Sequence, residues 1–125
     1  TDVWEVRDGS VTSHVVAPED YGLSRARIDA LRGGDPSYNA QVARDLLAGN
    51  TGPVRDAVVL NAASGIVAAE GLKESSDASP AFAERMLRAV KRAEDSLDSG
   101  AAKAALERWI NVSQSVETPA ETLRS

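Results

Sequence analysis

The chain has 125 residues, a formal net charge of -5 and no cysteine. The length fits one domain, and the missing cysteine excludes disulfides, thiol catalysis and thiolate metal sites. The acidic balance argues against nucleic-acid and anionic membrane surfaces as partners, because both attract clustered Lys and Arg. No run reaches the roughly 18 apolar residues of a membrane span. We therefore expect a cytoplasmic protein that binds neither nucleic acid nor membrane.

The first predicted element is a β-hairpin over residues 3–16. Asp8-Gly9 between two β-branched runs is a strong turn signal, because both turn positions need a positive φ. In the resulting register, one face is more apolar than the other. Its side chains are those of Trp4, Val6, Val11, Ser13 and Val15. We expect this face to be buried.

Helices are predicted for most of the remaining sequence, and they span residues 24–32, 36–48, 53–70, 80–97 and 101–112. Asp35-Pro36, Gly52-Pro53 and Ser79-Pro80 each place proline at a helix start, where its missing N–H costs little. Ser24 is the expected N-cap of the first helix. Gly33-Gly34 is expected to end that helix with a glycine in the left-handed conformation. Residues 1–114 are thus predicted to form one unit, with a polar loop at 73–78 and a flexible tail at 115–125.

Helix 53–70 is the most informative of these. It carries no charge between Asp56 and Glu70, and its apolar residues go all the way round, which predicts burial on most sides. Gly65 costs about 1 kcal/mol relative to alanine in a helix interior, so we expect another backbone to approach it closely. Asn61 is a polar residue in this apolar helix, and we interpret its amide as a tie to a loop or strand. The alternative is a supporting role beside a site, and Arg55 with Asp56 is expected to join the same network.

Apolar stripes also predict the inward faces of the other helices. In helix 36–48 the stripe is Tyr38, Val42 and Leu46. In helix 80–97 it is Phe82, Met86, Ala89, Val90, Ala93 and Leu97, with Arg85 outside it. In the last helix the inward residues are Ala102, Ala105, Leu106, Trp109 and Ile110.

The residues that could take part in catalysis, metal binding or anion binding are better explained by structural roles. His14 is the only histidine, so it has no second histidine with which to share a zinc ion, and we expect it to be exposed. Gly33-Gly34-Asp35 is similar to an anion-binding turn, but Asp35 puts its charge on the N–H groups that a phosphate needs. Two carboxylate pairs are expected to be solvated rather than catalytic. They are Glu19 with Asp20 and Asp95 with Asp98.

A family pattern runs from Gly33 to Gly71. It consists of GGD followed by Asn39-Ala40, the run GPVRDAVVLNAA over residues 52–63, and the spacing between them. It is flanked by TDVWEVRDGSV, by the turn APEDYGL and by SGAA at residues 99–102. Over residues 3–113 the sequence resembles the C-terminal region of bacterial anthranilate phosphoribosyltransferases, in particular those of actinobacteria.

The resemblance implies a mostly helical α+β fragment with an N-terminal hairpin. This fragment would be the C-terminal part of the α/β domain in the nucleoside phosphorylase/phosphoribosyltransferase fold. It also implies a parent enzyme of tryptophan biosynthesis, which transfers a phosphoribosyl group from phosphoribosyl pyrophosphate to anthranilate with Mg²⁺, usually as a homodimer. The family's GTGGD loop, KHGN segment, anthranilate-binding arginine and acidic metal pair lie upstream of this region. No catalytic, substrate-binding or metal-binding residue is therefore carried over, and structural roles are expected for Gly33, Gly34, Asp35, Asn39, Arg55, Asp56, Asn61 and Gly65.

The chain starts at Thr1 without an initiator Met, which is expected of a fragment. We expect it to be inactive alone, to bind no metal, and to associate with the missing N-terminal part or with itself. Two alternatives stay open. One is a fragment of another enzyme of the same fold, such as a pyrimidine nucleoside phosphorylase. The other is a free-standing helical interaction module.

Overall fold

The computed structural model describes residues 1–71 and 80–115. These residues form an antiparallel hairpin followed by α-helices, which confirms the predicted α+β class. The strands are β1 (Asp2–Arg7) and β2 (Ser10–Val15), and the helices are α1 (Pro36–Leu47), α2 (Pro53–Gly71), α3 (Phe82–Asp98) and α4 (Ala101–Ser115). No helix in the described residues is long and apolar enough to cross a membrane.

The hairpin has the predicted turn and register. Asp8 and Gly9 have φ values of 49° and 74°, and Val6 lies opposite Val11. The predicted buried face is wrong, because the side chains of that face are largely exposed. Their exposed fractions are 66% for Trp4, 75% for Val6, 65% for Val11 and 77% for Val15. The opposite face instead packs on α3, which supplies partners for its polar residues.

The prediction of a helix over residues 24–32 is wrong. Residues 24–27 have no regular structure, and only Ile28–Leu31 forms a short 3-10 turn. Ser24 caps no helix, since the residue before the 3-10 turn is Arg27; the backbone N–H of Ser24 donates to Asp56 Oδ2 at 3.3 Å. Gly33-Gly34 does not form a left-handed stop either, because neither glycine has a positive φ.

The other helices lie close to their predicted ranges. Pro53 starts α2 as expected, whereas α3 begins at Phe82 after the N-cap residue Ala81. The final helix continues to Ser115, where the sequence predicted the start of a tail. Ser79, the loop at 73–78 and the rest of the tail lie outside the described residues.

The core lies between α2 and α3. Val59, Ala63 and Val67 of α2 meet the predicted stripe of α3, which is buried from Met86 to Leu97. The hairpin exit and α1 close the core with further apolar side chains. These are Val16, Tyr21, Leu23 and Leu46.

The predicted inward face of α4 is wrong, and that of α1 holds only in part. Trp109 and Ile110 of α4 are 71% and 42% exposed, and the residue of α4 that packs against the core is Ala102, in its first turn. In α1, Tyr38 is 55% exposed although Leu46 is buried. The apolar pattern marked these faces, but the described residues provide no surface that covers them.

The prediction that α2 is buried on most sides is also wrong for this chain. One face is in the core, and the opposite face is exposed in the described structure. The exposed residues of α2 include Val58, Asn61, Ala62, Ser64, Gly65, Ala68 and Ala69. A helix without charge from residue 57 to 69 thus presents an apolar surface of small side chains to solvent.

Candidate functional site

A groove of about 660 Å³ separates β1 from α2. Residues Val3 to Asp8 form one wall, α2 forms the other, and Phe82 closes the end. The α2 wall is uncharged and consists mostly of small residues. They are Ser64, Val67, Ala68, Ala69 and Gly71.

A polar cluster at the end of this groove joins the hairpin to α3. Arg85 Nη2 lies 2.7 Å from Glu5 Oε1, and His14 Nε2 lies 3.2 Å from Glu5 Oε2. The His14 ring stacks on Phe82 with 3.9 Å between ring centroids and 9° between planes. Arg85 also donates from Nε to the carbonyl of Pro80 at 3.1 Å. Glu5 and His14 are thus oriented by other side chains, whereas Arg85 Nη1 is buried without a hydrogen-bond partner among the described residues.

The electrostatics of the cluster favour the charged form of Glu5. Burial acts to raise the pKa of Glu5, but the hydrogen bonds and charges of Arg85 and His14 outweigh it and hold that pKa below its usual value. The side chains of Arg85 and Glu5 are only 8% and 17% exposed. A carboxylate held in this way is ionised at neutral pH and is unsuited to act as a general acid. The contact between Glu5 and Arg85 therefore has a structural role, because it fixes the hairpin on α3.

His14 was expected to be exposed, and this prediction is wrong. Its side chain is 22% exposed, because it lies between Glu5 and Phe82. Sequence reasoning missed Glu5 and Phe82 as its partners, and Arg85 as the partner of Glu5. The available signal was the position of Arg85 three residues after Phe82 and four before Ala89, which places it on the inward face of α3.

The residues of the GGD pattern form a closed turn before α1. Asp35 Oδ1 accepts the N–H of Tyr38 at 2.8 Å, which caps the helix. The Asn39 side chain accepts the N–H of Gly34 and donates to the carbonyl of Gly34, both at 2.9 Å. A Cβ atom at Gly33 would lie 2.9 Å from Asn39 Oδ1. The glycines allow this close approach, and an anion would find the N–H of Gly34 already occupied.

The first turn of α2 connects to two other parts of the chain. Arg55 Nη2 donates to Asp98 Oδ1 at 2.7 Å, and Asp56 accepts the N–H of Ser24. Asn61 does not join them. Its Nδ2 donates to the carbonyl of Ala57 in the same helix at 2.8 Å, so the interpretation as a tie to a loop or strand is wrong.

Gly65 is also placed differently from the expectation. A Cβ atom at Gly65 would meet no heavy atom within 4 Å, apart from its own helix backbone. No other backbone in the described residues approaches it, because it lies on the exposed face of α2. The expected close approach of another backbone to Gly65 is therefore wrong for the described residues.

The carboxylates that sequence inspection paired are held by separate partners. Glu19 forms an ion pair with Arg25 at 2.6 Å, and Asp20 accepts the N–H of Ala17. Lys91 pairs with Asp95, whereas Asp98 pairs with Arg55. Across residues 1–71 and 80–115, no three His, Cys, Asp or Glu side chains converge on a possible metal position.

The sequence of this chain matches one protein family. Residues 1–103 match the model of the glycosyl transferase family, a/b domain, and the chain belongs to this family. It is 50% identical over 108 residues to an anthranilate phosphoribosyltransferase of Arthrobacter sp. (strain FB24). This alignment covers 86% of this chain and 29% of the relative. It is 49% identical to that of Streptomyces avermitilis over 89% of this chain and 30% of the relative. The Mycobacterium marinum enzyme is 46% identical over 91% of this chain and 30% of its own length. The chain thus spans about three tenths of the length of these relatives.

Proposed function

We propose that this chain is the C-terminal piece of an anthranilate phosphoribosyltransferase. The parent enzyme transfers a phosphoribosyl group from phosphoribosyl pyrophosphate to anthranilate in tryptophan biosynthesis, with Mg²⁺. The observation that carries the proposal is the identity of 50% over 108 residues with a curated enzyme of that name. The expected GGD turn and the run GPVRDAVVLNAA lie within the matched family region at residues 1–103.

Within that enzyme, we assign the described residues to the scaffold. Their charged groups pair with one another: Glu5 binds Arg85 in a mostly buried contact, and Arg55 binds the exposed Asp98. Groups that act on a substrate need a free valence directed into a site, whereas the unbonded donors of these two pairs, Arg55 Nη1 and Arg85 Nη1, are buried in the fold. The chain alone should therefore have no transferase activity, and the reacting groups and Mg²⁺ ligands should come from the rest of the enzyme.

A graft tests this proposal. The 108 matched residues of the Arthrobacter enzyme are replaced by the corresponding residues of this chain, and the graft is expressed in a strain that lacks its own anthranilate phosphoribosyltransferase. Growth without tryptophan, and loss of anthranilate fluorescence in vitro with phosphoribosyl pyrophosphate and Mg²⁺, are the expected results.

The matched control is the Arthrobacter enzyme truncated before the grafted region, which should support no growth. A graft that is soluble and folded but inactive would contradict the proposal and favour another activity of the same fold. Turnover by the isolated chain would contradict the assignment of its residues to the scaffold.

A further inference from the structure

The turn of the hairpin contains the only Asp-Gly step of the chain, and the sequence has no Asn-Gly step. An aspartate side chain can react with the backbone nitrogen of the next residue, because the two groups close a five-membered ring. A Cβ atom on that next residue obstructs the ring, and glycine has none. An ideal Cβ on Gly9 would meet no heavy atom within 4 Å, so the turn also leaves space around such a ring.

The fold does not use the N–H of Gly9. Thr1 and Val16 exchange both of their backbone hydrogen bonds, at 2.9 and 2.8 Å, and bonded and non-bonded pairs alternate along an antiparallel ladder. Arg7 and Ser10 are therefore the last bonded pair, and the ladder ends before Gly9. Among the described residues no group accepts the N–H of Gly9. This amide is left to water, where it can lose its proton and attack.

The other aspartates in the described residues do not precede such an amide. The N–H after Asp29 donates to the carbonyl of Arg27, and the N–H after Asp98 donates to that of Asp95, both at 3.0 Å. Asp35 precedes a proline, which has no N–H. The remaining aspartates precede residues whose N–H lies in the ladder or in a helix, and they are Asp2, Asp20, Asp45, Asp56 and Asp95.

The side chain of Asp8 is accessible, and its backbone is strained. It is 58% exposed, although Arg7 Nε lies 3.7 Å from Asp8 Oδ2. Among the described residues, Asp8 is the one non-glycine residue with a positive φ, at 49°, a conformation that a Cβ atom disfavours. Val6 and Val11 beside the turn are 75% and 65% exposed, so they provide little packing that would hold it closed. Local opening therefore lets the Asp8 side chain rotate towards the nitrogen of Gly9.

We propose that Asp8 and Gly9 form a site of spontaneous modification, at which Asp8 isomerises to isoaspartate through a succinimide. In the first step the nitrogen of Gly9 bonds to Cγ of Asp8, and the amide proton leaves with the hydroxyl group of the protonated carboxyl as water. In the second step one water molecule adds to the ring. Cleavage between the nitrogen and Cγ restores aspartate. Cleavage between the nitrogen and the backbone carbonyl carbon of Asp8 leaves the chain running through the side chain.

Isoaspartate should loosen the hairpin. It adds one carbon atom to the backbone of a two-residue turn, and the length of that turn fixes the register. The pairing of Val6 with Val11 therefore cannot be kept without distortion. Glu5, the next residue along β1, carries the contact with Arg85, so the modified hairpin should bind α3 less tightly.

Water labelled with heavy oxygen detects the ring directly. The folded chain is incubated in a weakly acidic buffer made with this water, and each ring opening places a labelled oxygen in residue 8. Peptide mass spectrometry should find Asp8 labelled about tenfold or more faster than Asp29 and Asp98, since the release of one backbone hydrogen bond changes a rate by about this factor. Electron-transfer fragmentation should identify isoaspartate at residue 8.

Two substitutions at the same position provide the controls. Asp8→Glu keeps the charge but would need a six-membered ring, which closes far more slowly, so this variant should take up label only by direct exchange of its carboxylate oxygens. Asp8→Asn keeps a preferred turn sequence and expels ammonia, which leaves more easily than water under these conditions. Label should therefore enter this variant faster than it enters the unsubstituted chain.

Three results would overturn the proposal. Equal labelling of Asp8, Asp29 and Asp98 would show that the turn gives no preference. Labelling of the Asp8→Glu variant at the rate of the unsubstituted chain would show direct exchange without a ring. Labelling of Asp8 in urea but not in the folded chain would show that the folded turn excludes the ring.

The effect on the hairpin is tested separately. The isoaspartyl and unmodified forms of the incubated chain are separated by chromatography and compared by thermal unfolding. The isoaspartyl form should have the lower melting temperature. Equal melting temperatures would show that the turn accommodates the added carbon atom, which would contradict the expected loosening.

Discussion

Arg85 Nη2 and Glu5 Oε1 lie 2.7 Å apart, and this contact joins the first strand to the third helix across 80 positions of sequence. Both side chains are mostly buried, at 8% and 17% exposed. Removing one partner of a buried pair leaves the other charge uncompensated, which costs far more than the pair contributes. The contact therefore makes the position of the hairpin sensitive to single substitutions.

The first prediction concerns this pair. Arg85→Met should lower the free energy of unfolding by about 3 kcal/mol, because Glu5 keeps its charge with only His14 beside it. Urea unfolding of the isolated chain measures the loss. Lys91→Met breaks the exposed pair with Asp95 and should cost at most about 1 kcal/mol. Equal losses for the two variants would show that the buried contact is no more important than a surface pair.

The second prediction follows from the lowered pKa of Glu5, whose ordinary value is 4.5. A carboxyl with a lower pKa in the folded state than in the unfolded state stabilises the fold above the unfolded value. That stability is lost as the pH falls through the folded value. The free energy of unfolding should thus decrease as the pH falls below about 4.5. Glu5→Gln should make this decrease shallower, and an unchanged pH profile in that variant would contradict the argument.

The hairpin also shows what the sequence can and cannot predict. Asp8 and Gly9 set the turn and register locally, so both were predicted. The buried face was not, because apolar content favoured the Trp4 side. The opposite side is buried because Arg85 and Phe82 supply partners for Glu5 and His14. Such partners are distant in sequence, and no pattern within the hairpin reveals them.

The same distinction applies to the helices and to the groove. The stripe of α3 repeats over 17 residues and predicted its buried face well. The helix expected at 24–32 had a good cap residue in Ser24, but only the 3-10 turn Ile28–Leu31 forms, and the backbone of Ser24 is bound by Asp56, 32 positions away. The groove lies between β1 and α2, which are about 60 residues apart in sequence. Its existence depends on how the two elements pack, and no local pattern encodes that.

The third prediction uses the exposed position of Gly65. Gly65→Ala should stabilise the isolated chain by about 0.5–1 kcal/mol, because alanine favours a helix interior and the new Cβ meets no neighbour within 4 Å. Gly100→Ala is the contrasting variant, since Gly100 has a φ of 77°, and it should destabilise the chain by about 1–2 kcal/mol. Thermal unfolding of both variants gives the comparison. Destabilisation by Gly65→Ala would indicate that another surface does approach this helix in the isolated chain.

The fourth prediction concerns the turn before α1. In Gly33→Ala the new Cβ would lie 2.9 Å from Asn39 Oδ1, so the Asn39 side chain would have to move and release both of its bonds to Gly34. Each bond contributes about 0.5–1.5 kcal/mol, and the variant should lose about 1–2 kcal/mol because the turn is exposed. Asn39→Ala should cost a similar amount, since it removes the same two bonds.

The double variant distinguishes this mechanism from a general effect on the backbone. Once Asn39 is alanine, a Cβ at Gly33 no longer meets the amide, so Gly33→Ala should add little in that background. The two costs should thus be clearly less than additive, by about 1 kcal/mol, as expected for residues that share one interaction. Additive costs in a double-mutant cycle of urea unfolding would show that Gly33 is required for its backbone conformation. Less-than-additive costs would show that the glycine serves to accommodate the Asn39 side chain.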